Sequence, residues 1–192
     1  MASIYTPHYS YDYYLRNAYS KYRDARKSDF RATQPNNTLV QADSSAIRNI
    51  SDKLRKLEYD TDHSDEIMQT TKAFIETYNN LLDSSGNSES NTIAKLQKQL
   101  SNMTEDEKEE LESIGIKIKT NGKLKLDEKT FGECKPSKIA KVFSSDHTFT
   151  KSLRTYASKI YKLSSQLVSA YDASGAKKTN TNQSGNTVDV SL

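Results

Sequence analysis

The sequence predicts a mainly α protein, an elongated antiparallel helical bundle or coiled coil that carries one small β-hairpin at about residues 116–126. Three observations predict it. Apolar residues recur at alternating steps of three and four, which puts them on one stripe of a helix at the repeat that favours left-handed helix pairing. Gly (6) and Pro (3) are scarce in 192 residues, which suits long helices and few tight turns. Leu, Ile, Val and Phe number 36, about 19% of the chain, close to the level below which chains stay disordered. Yet 28 basic against 25 acidic residues leave a net charge of only +3, so self-repulsion is weak. Few apolar residues without strong repulsion imply narrow apolar seams instead of a large spherical core.

The elements follow in order. Tyr11, Leu15, Ala18, Tyr22 and Ala25 step helically within a segment, 1–31, that holds seven of the twelve tyrosines and six basic against three acidic residues. Residues 32–42, with Pro35 and the pair Asn36-Asn37, read as a linker. A helical bundle is expected over 43–171. Its seams are Ile47, Ile50, Leu54 and Leu57; then Ile67, Thr71, Phe74, Tyr78 and Leu81, widened by Met68, Ile75 and Leu82. Ile93, Leu96, Leu100 and Met103 form a third, and Phe149, Leu153, Tyr156, Ile160, Leu163, Leu167 and Ala170 the longest. Thr104 followed by Glu107 reads as a capping box that opens a short acidic helix through Ser113. Gly115 ends that helix. Asn121-Gly122 between the alternating Ile116, Ile118, Leu124 and Leu126 predicts a hairpin whose two turn residues both take positive φ. Asp127, Pro136 and Ser145 or Asp146 mark the starts of the remaining helices. Residues 172–192, rich in Ser, Thr, Asn, Gly and Lys, are expected to be a disordered tail.

No reaction is nominated. His8, His63 and His147 are far apart and none has a ligand-like neighbour four residues on, so no metal site is expected. The acids around His63 (Asp60, Asp62, Asp65, Glu66) read as a solvated turn. Cys134 stands alone and makes no internal disulfide. No phosphate-cradling glycine loop occurs, and no catalytic or cofactor-binding residue is assigned. No apolar run is long enough to span a membrane, and the N-terminus lacks the apolar core of a cleaved signal peptide. Tyrosines interleaved with Arg16, Lys21, Arg23, Arg26, Lys27 and Arg31 could suit single-stranded nucleic acid or another anionic polymer. Asp12, Asp24 and Asp29 dilute that charge, so nucleic acid is the lesser reading.

Four ordered pieces resemble a known family. Phe74, Tyr78, Asn79, Leu81 and Leu82 resemble an F-x-x-A-Y-N-x-L helix. Asn91-Thr92-Ile93 through Gln97-Lys98-Gln99-Leu100 is similar to S-T-V-x-x-I-Q-x-Q-L. Leu111, Ile114-Gly115-Ile116 and Asn121-Gly122-Lys123-Leu124-Lys125-Leu126-Asp127-Glu128 resemble L-x-x-[IL]-G-I followed by [DN]-G-x-L-x-L-D-E. Lys135-Pro136-Ser137-Lys138-Ile139-Ala140-Lys141-Val142-Phe143 is similar to N-P-D-A-V-K-A-L-F. In this order the pieces resemble the C-terminal helical region of the bacterial flagellar filament-capping (hook-associated) proteins. The resemblance implies a reduced form that lacks the family's large β-rich domains. It further implies a helical, coiled-coil-rich protein of the flagellar axial type, with its hairpin packed on helices. Such proteins assemble at a growing filament tip and help flagellin fold and insert. They are not enzymes and need no cofactor.

The expected function is therefore structural or assembly-related, through coiled-coil self-association or binding of flagellar axial proteins or an export chaperone, with a homo-oligomer as one outcome and no membrane insertion. Export to the flagellum without a cleaved signal peptide is expected; a cytoplasmic helical scaffold or chaperone is the alternative. The helix seam or partner interface is expected at Phe74, Tyr78, Leu81, Leu82, Phe149, Leu153, Tyr156, Ile160 and Leu163. An N-terminal partner surface is expected at Tyr11, Tyr14, Tyr19 and Tyr22, because tyrosine offers large amphipathic contact area.

Overall fold

Periodic apolar stripes need other stripes to cover them, and the fold does this with three long helices. The structure is a computed structural model that describes residues 9–145 and 147–170. Among the described residues the elements are α1 (Tyr11–Ala18), a 3-10 turn (Arg23–Arg26), α2 (Ser28–Thr33), α3 (Asn36–Arg55), α4 (Ser64–Gly86), α5 (Asn91–Asp106), α6 (Lys108–Ser113), β1 (Ile116–Ile118), β2 (Leu124–Leu126), α7 (Glu128–Glu133), α8 (Pro136–Phe143) and α9 (Thr148–Ala170). The mainly α architecture with one small hairpin stands as the sequence predicts. No described helix is long and apolar enough to cross a membrane. The expected tail, 172–192, lies outside the described residues.

Helix α3 is the axis, and side-chain pairs fix the direction of its neighbours. Asn36 Nδ2 donates to the Ser84 carbonyl at 2.9 Å, while Lys53 meets Glu66 at 2.5 Å, so α3 and α4 run antiparallel. Gln41 donates to Ser165 at 2.9 Å and Asp52 accepts from Arg154 at 2.8 Å, so α3 and α9 are antiparallel too. In that register Ser44 and Ser51 of α3 come level with Ser164 and Ala157 of α9, and all four are fully buried. Small side chains there let the two backbones approach closely. This pair makes the most extensive helix contact of the fold. Where α4, α8 and α9 converge, an aromatic cluster fills the core: Phe74 lies 5.5 Å from Phe143 and 6.3 Å from Phe149 between ring centres, both edge-on.

The hairpin is held by a side chain as well as by burial of Ile116 and Leu124. Asn79 of α4 pairs with the outer edge of β2: its Oδ1 accepts from the Leu124 N–H at 2.8 Å and its Nδ2 donates to the Leu124 carbonyl at 3.0 Å. A primary amide presents the same donor and acceptor as a strand, so Asn79 ends the sheet where a third strand would begin.

Several expectations are corrected. The linker over 32–42 is helical for most of its length, because α3 starts at Asn36 and only Gln34 and Pro35 separate it from α2. Pro35 introduces the first helical turn, and Val40 and Ala42 are fully buried. The described part of the 1–31 segment, from residue 9, does not stand apart from the bundle: α1 packs on α4 and α3. Thr104 is not a cap. It lies buried inside α5, with its hydroxyl donated to the Leu100 carbonyl at 2.9 Å. The hairpin turn spans three residues, 120–122. Gly122 N–H bonds the Lys119 carbonyl and Lys119 N–H bonds the Lys123 carbonyl, both at 2.8 Å. Only Gly122 (φ 76°) has positive φ there; Asn121 does not. Such a turn followed by a left-handed glycine is the usual three-residue solution.

Phe74→Ala is expected to cost about 3–5 kcal/mol and Leu153→Ala about 2–5 kcal/mol, both side chains being fully buried. Leu163→Ala, at a half-buried position, falls below that range, and urea titration of the three variants checks the order. Gly115 and Gly122 both have positive φ, but a Cβ on Gly115 would sit 2.9 Å from Phe131 N, against 3.7 Å to the nearest atom at Gly122. Alanine therefore costs about 1–2 kcal/mol at Gly122 from the backbone alone and clearly more at Gly115. Equal losses at the two glycines would refute this account.

Candidate interaction surface

The chain brings its sequence-marked residues together mostly inside itself. Phe74, Tyr78, Leu81, Leu82, Phe149, Leu153 and Ile160 are all core residues, so this seam joins the chain's own helices and offers no partner interface. Tyr156 and Leu163 are half-buried at its margin. Burial pushes the Tyr78 phenol up to about 12, so it stays neutral in physiological solution.

The expected N-terminal surface divides. Tyr14 and Tyr19 are only 3% and 1% exposed, which removes them as partner contacts. Tyr11 and Tyr22 are half-buried against the core. The reason is a buried carboxylate that the heptad reading passed over. Asp43 of α3 is fully buried; it accepts from the Tyr19 hydroxyl at 2.7 Å and from both terminal nitrogens of Arg31 at 2.7 and 2.9 Å. Asn80 of α4 donates to the Tyr19 oxygen at 3.1 Å. Burial and the Asp43 charge hold the Tyr19 phenol well above its ordinary range. Burial alone would lower Arg31, but the hydrogen bonds and charge of Asp43 outweigh it and raise the guanidinium. Both donors thus keep their protons. The sequence did contain a signal: Val40, Asp43, Ile47, Ile50 and Leu54 continue the 3, 4, 3, 4 stripe, with an acid on the apolar face.

What remains exposed in this region is a tyrosine platform. Tyr9, 42% exposed, stacks on Tyr13 at 4.1 Å, and Tyr14 meets Tyr13 edge-on at 5.2 Å. With Asn17, Asn49, Lys53 and Glu66 these rings line a cavity of about 240 Å³. Burial and the neighbouring Glu66 raise the Tyr14 phenol, so it cannot act as a base near neutrality. The Lys53 ammonium lies 5.9 Å above the Tyr14 ring and is neutralised by Glu66. The arrangement suits contact and stacking.

A second surface lies on the outer side of the α3–α9 seam. Arg48 stacks on the Tyr161 ring at 5.0 Å, and the Tyr161 hydroxyl lies 3.4 Å from that of Tyr22. The Tyr22 hydrogen bond, with lesser help from the charges of Lys21 and Arg48, lowers the Tyr161 phenol. Neither Arg48 nor Tyr161 stood out in the apolar periodicity, because both flank the stripe.

The remaining candidates are separate. Glu58, Asp60 and His63 bring ligand atoms within 4.8 Å of one another on the exposed α3–α4 connection, a donor set that could hold a cation. His63 Nδ1 is 2.7 Å from Asp60. His147 Nδ1 accepts from the Phe149 N–H at 3.2 Å at the start of α9, and Asp146, one of the two expected caps, lies outside the described residues. Cys134 is half-buried, its sulfur 3.8 Å from the Ser113 carbonyl. His8 lies outside the described residues. Comparison of the chain with family models, with curated proteins and with solved structures finds no match.

Asp43→Ala leaves Arg31 half-buried without its anion and is expected to cost about 3–5 kcal/mol. Tyr19→Phe removes one bond to a charged acceptor and costs about 1.5–3 kcal/mol. Denaturant midpoints of the two variants check the ranking. The His63 imidazolium is raised by its hydrogen bond to Asp60. A raised folded-state pKa means that this pair's contribution is complete below the unfolded value of about 6.5 and fades as pH climbs through the folded one. An NMR titration should place His63 above 6.5 in the native chain. Asp60→Asn should bring it down; an unmoved midpoint would contradict the assigned pairing.

Proposed function

We propose that this is a non-enzymatic structural or assembly protein of the flagellar axial type, a reduced relative of the filament-capping proteins. The supporting observation is that the resembling pieces meet in space. Phe74 of the first piece packs on Phe143 of the last at 5.5 Å. Asn79 of the first clamps Leu124 of the hairpin piece through both its amide atoms. Residues that recur as motifs because they hold one helix–hairpin unit together are expected to touch in this way. On this reading the bundle is a rigid body that presents surfaces to other axial proteins or to an export chaperone, and it acts at the flagellum.

Binding of a single nucleic-acid strand through the N-terminus gains no support from the side chains. Two of its tyrosines are core residues, and Arg16, Arg26, Lys27 and Arg31 are paired with Asp12, Asp24 and Asp43. The cytoplasmic scaffold or chaperone remains the second reading, since the same bundle would serve it.

In a flagellated host the tagged protein is expected in the extracellular or flagellar fraction with its N-terminus intact. Crosslinking should recover flagellin, hook-associated proteins or an export chaperone. Confinement to the cytosol with none of these partners would overturn the flagellar reading and leave the scaffold.

A further inference from the structure

We infer that the arginine ridge on the outer side of the α3–α9 seam docks the acidic α5–α6 end of a second copy of this chain. The ridge follows from the antiparallel register. Arg48 and Arg55 lie seven residues apart on α3, about 10 Å along one face. Asp52 lies between them and Arg154 of α9 lies across. Two of these three arginines share one carboxylate: Asp52 is 2.8 Å from Arg154 and 3.7 Å from Arg55. Arg48 pairs with no carboxylate among the described residues and rests on the Tyr161 ring. Lys21, close enough to influence Tyr161, adds another exposed cation.

The complementary surface is in the same chain. Residues 105–112 hold six acids and one cation, Lys108. Lys108 is taken by Glu105 at 2.9 Å, and Glu107 faces His147 at 3.8 Å. Asp106, Glu109, Glu110 and Glu112 are exposed and make no ion pair among the described residues. Helix α6, six residues and about 9 Å long, matches the span of the ridge. Within one chain no ion pair among the described residues joins the two surfaces, since Arg154 and Arg55 turn to Asp52. A second copy can supply the anions the ridge lacks. Because ridge and acidic end are different patches, the contact is head-to-tail and propagates into a ring or a filament. This rests on the assembly reading for its purpose, not for its test.

Exposed ion pairs are individually weak and screened by salt, so the association should be salt-sensitive. Sedimentation of the full chain tests it at about 0.01 M and about 1 M salt, between which the screening length falls from about 30 to about 3 Å. The wild-type chain is expected to associate at low salt and dissociate at high salt. Arg48→Glu with Arg154→Glu should give monomers at both, as should the exposed pair Glu109→Lys with Glu112→Lys. The chain carrying all four changes should associate again. Circular dichroism confirms that each variant stays helical, and the acidic-side pair alone decides if the arginine pair fails to fold. A wild-type monomer at low salt, association unaffected by the charge reversals, or no rescue in the fourfold variant overturns the inference. So does a low-salt complex that contains nucleic acid and disappears with nuclease. Variants that lose self-association yet still crosslink to flagellar proteins would separate this interface from the function proposed above.

Discussion

The fold turns on one buried carboxylate. Asp43 sits in the middle of the central helix with no exposed surface, and an unpaired charge there would be prohibitively costly. Its partners come from outside that helix: Arg31 from the segment before it and Tyr19 from beyond α1, with Asn80 of α4 securing Tyr19. The arrangement therefore fixes where α1, α2 and the turn between them must lie. Once Arg31 and Tyr19 are drawn to Asp43, α1 has to cross α3 and α4, and Tyr14 and Leu15 are carried into the core. A salt bridge like this adds little net stability compared with apolar residues of the same volume, but breaking one half of it is expensive. Here it specifies which surface the N-terminal segment covers.

Polar side chains play the same positional part elsewhere, as expected of a chain short of apolar residues. Asn79 holds the hairpin through a strand-like pair of hydrogen bonds and blunts the sheet edge. Ser44, Ser51 and Ser164 line the closest helix contact, where larger side chains would force α3 and α9 apart. Thr77, Ser85 and Thr104 are buried, each with its hydroxyl turned back to a carbonyl of its own helix, so they occupy core positions without an unmet donor. Such a core gains less from burial than an aliphatic one. Its aromatic cluster around Phe74 is correspondingly important.

Much of this was legible in the spacing of apolar residues. Phe74, Tyr78, Leu81, Phe149, Leu153 and Ile160 fall in the core because a stripe that regular has to be covered. The beginning of α3 was not legible, for a physical reason. Pro35-Asn36-Asn37 is equally a turn and the opening of a helix, and only the tertiary demand for Val40, Ala42 and Asp43 in the core decides between them. The tyrosines mislead for a related reason. Tyrosine satisfies both a wet surface and a core, and without knowing that Asp43 was buried nothing marked Tyr19 as its donor. In the hairpin, Asn121-Gly122 correctly announced a turn, but the Lys119 to Lys123 pairing lengthened it by one residue. Local sequence chose the reversal and strand register chose its type.

Charge gives the last step. The chain is nearly neutral, with a net +3, yet its charges are sorted by place. The long helices pair opposite charges where they meet, at Lys53 with Glu66 and Arg154 with Asp52, and these contacts set direction. Two patches of opposite sign stand out among the charges left over, an arginine-rich ridge along α3 and α9 and a carboxylate-rich end at α5 and α6. A chain selected only to fold alone has no need to keep like charges together, since separating them lowers their repulsion at no cost to a seam made of apolar and small residues. Segregation of opposite charges on one rigid bundle is what steers copies or partners into a fixed orientation. The interior therefore explains the shape, and the uncompensated exterior charges are where its association is to be sought.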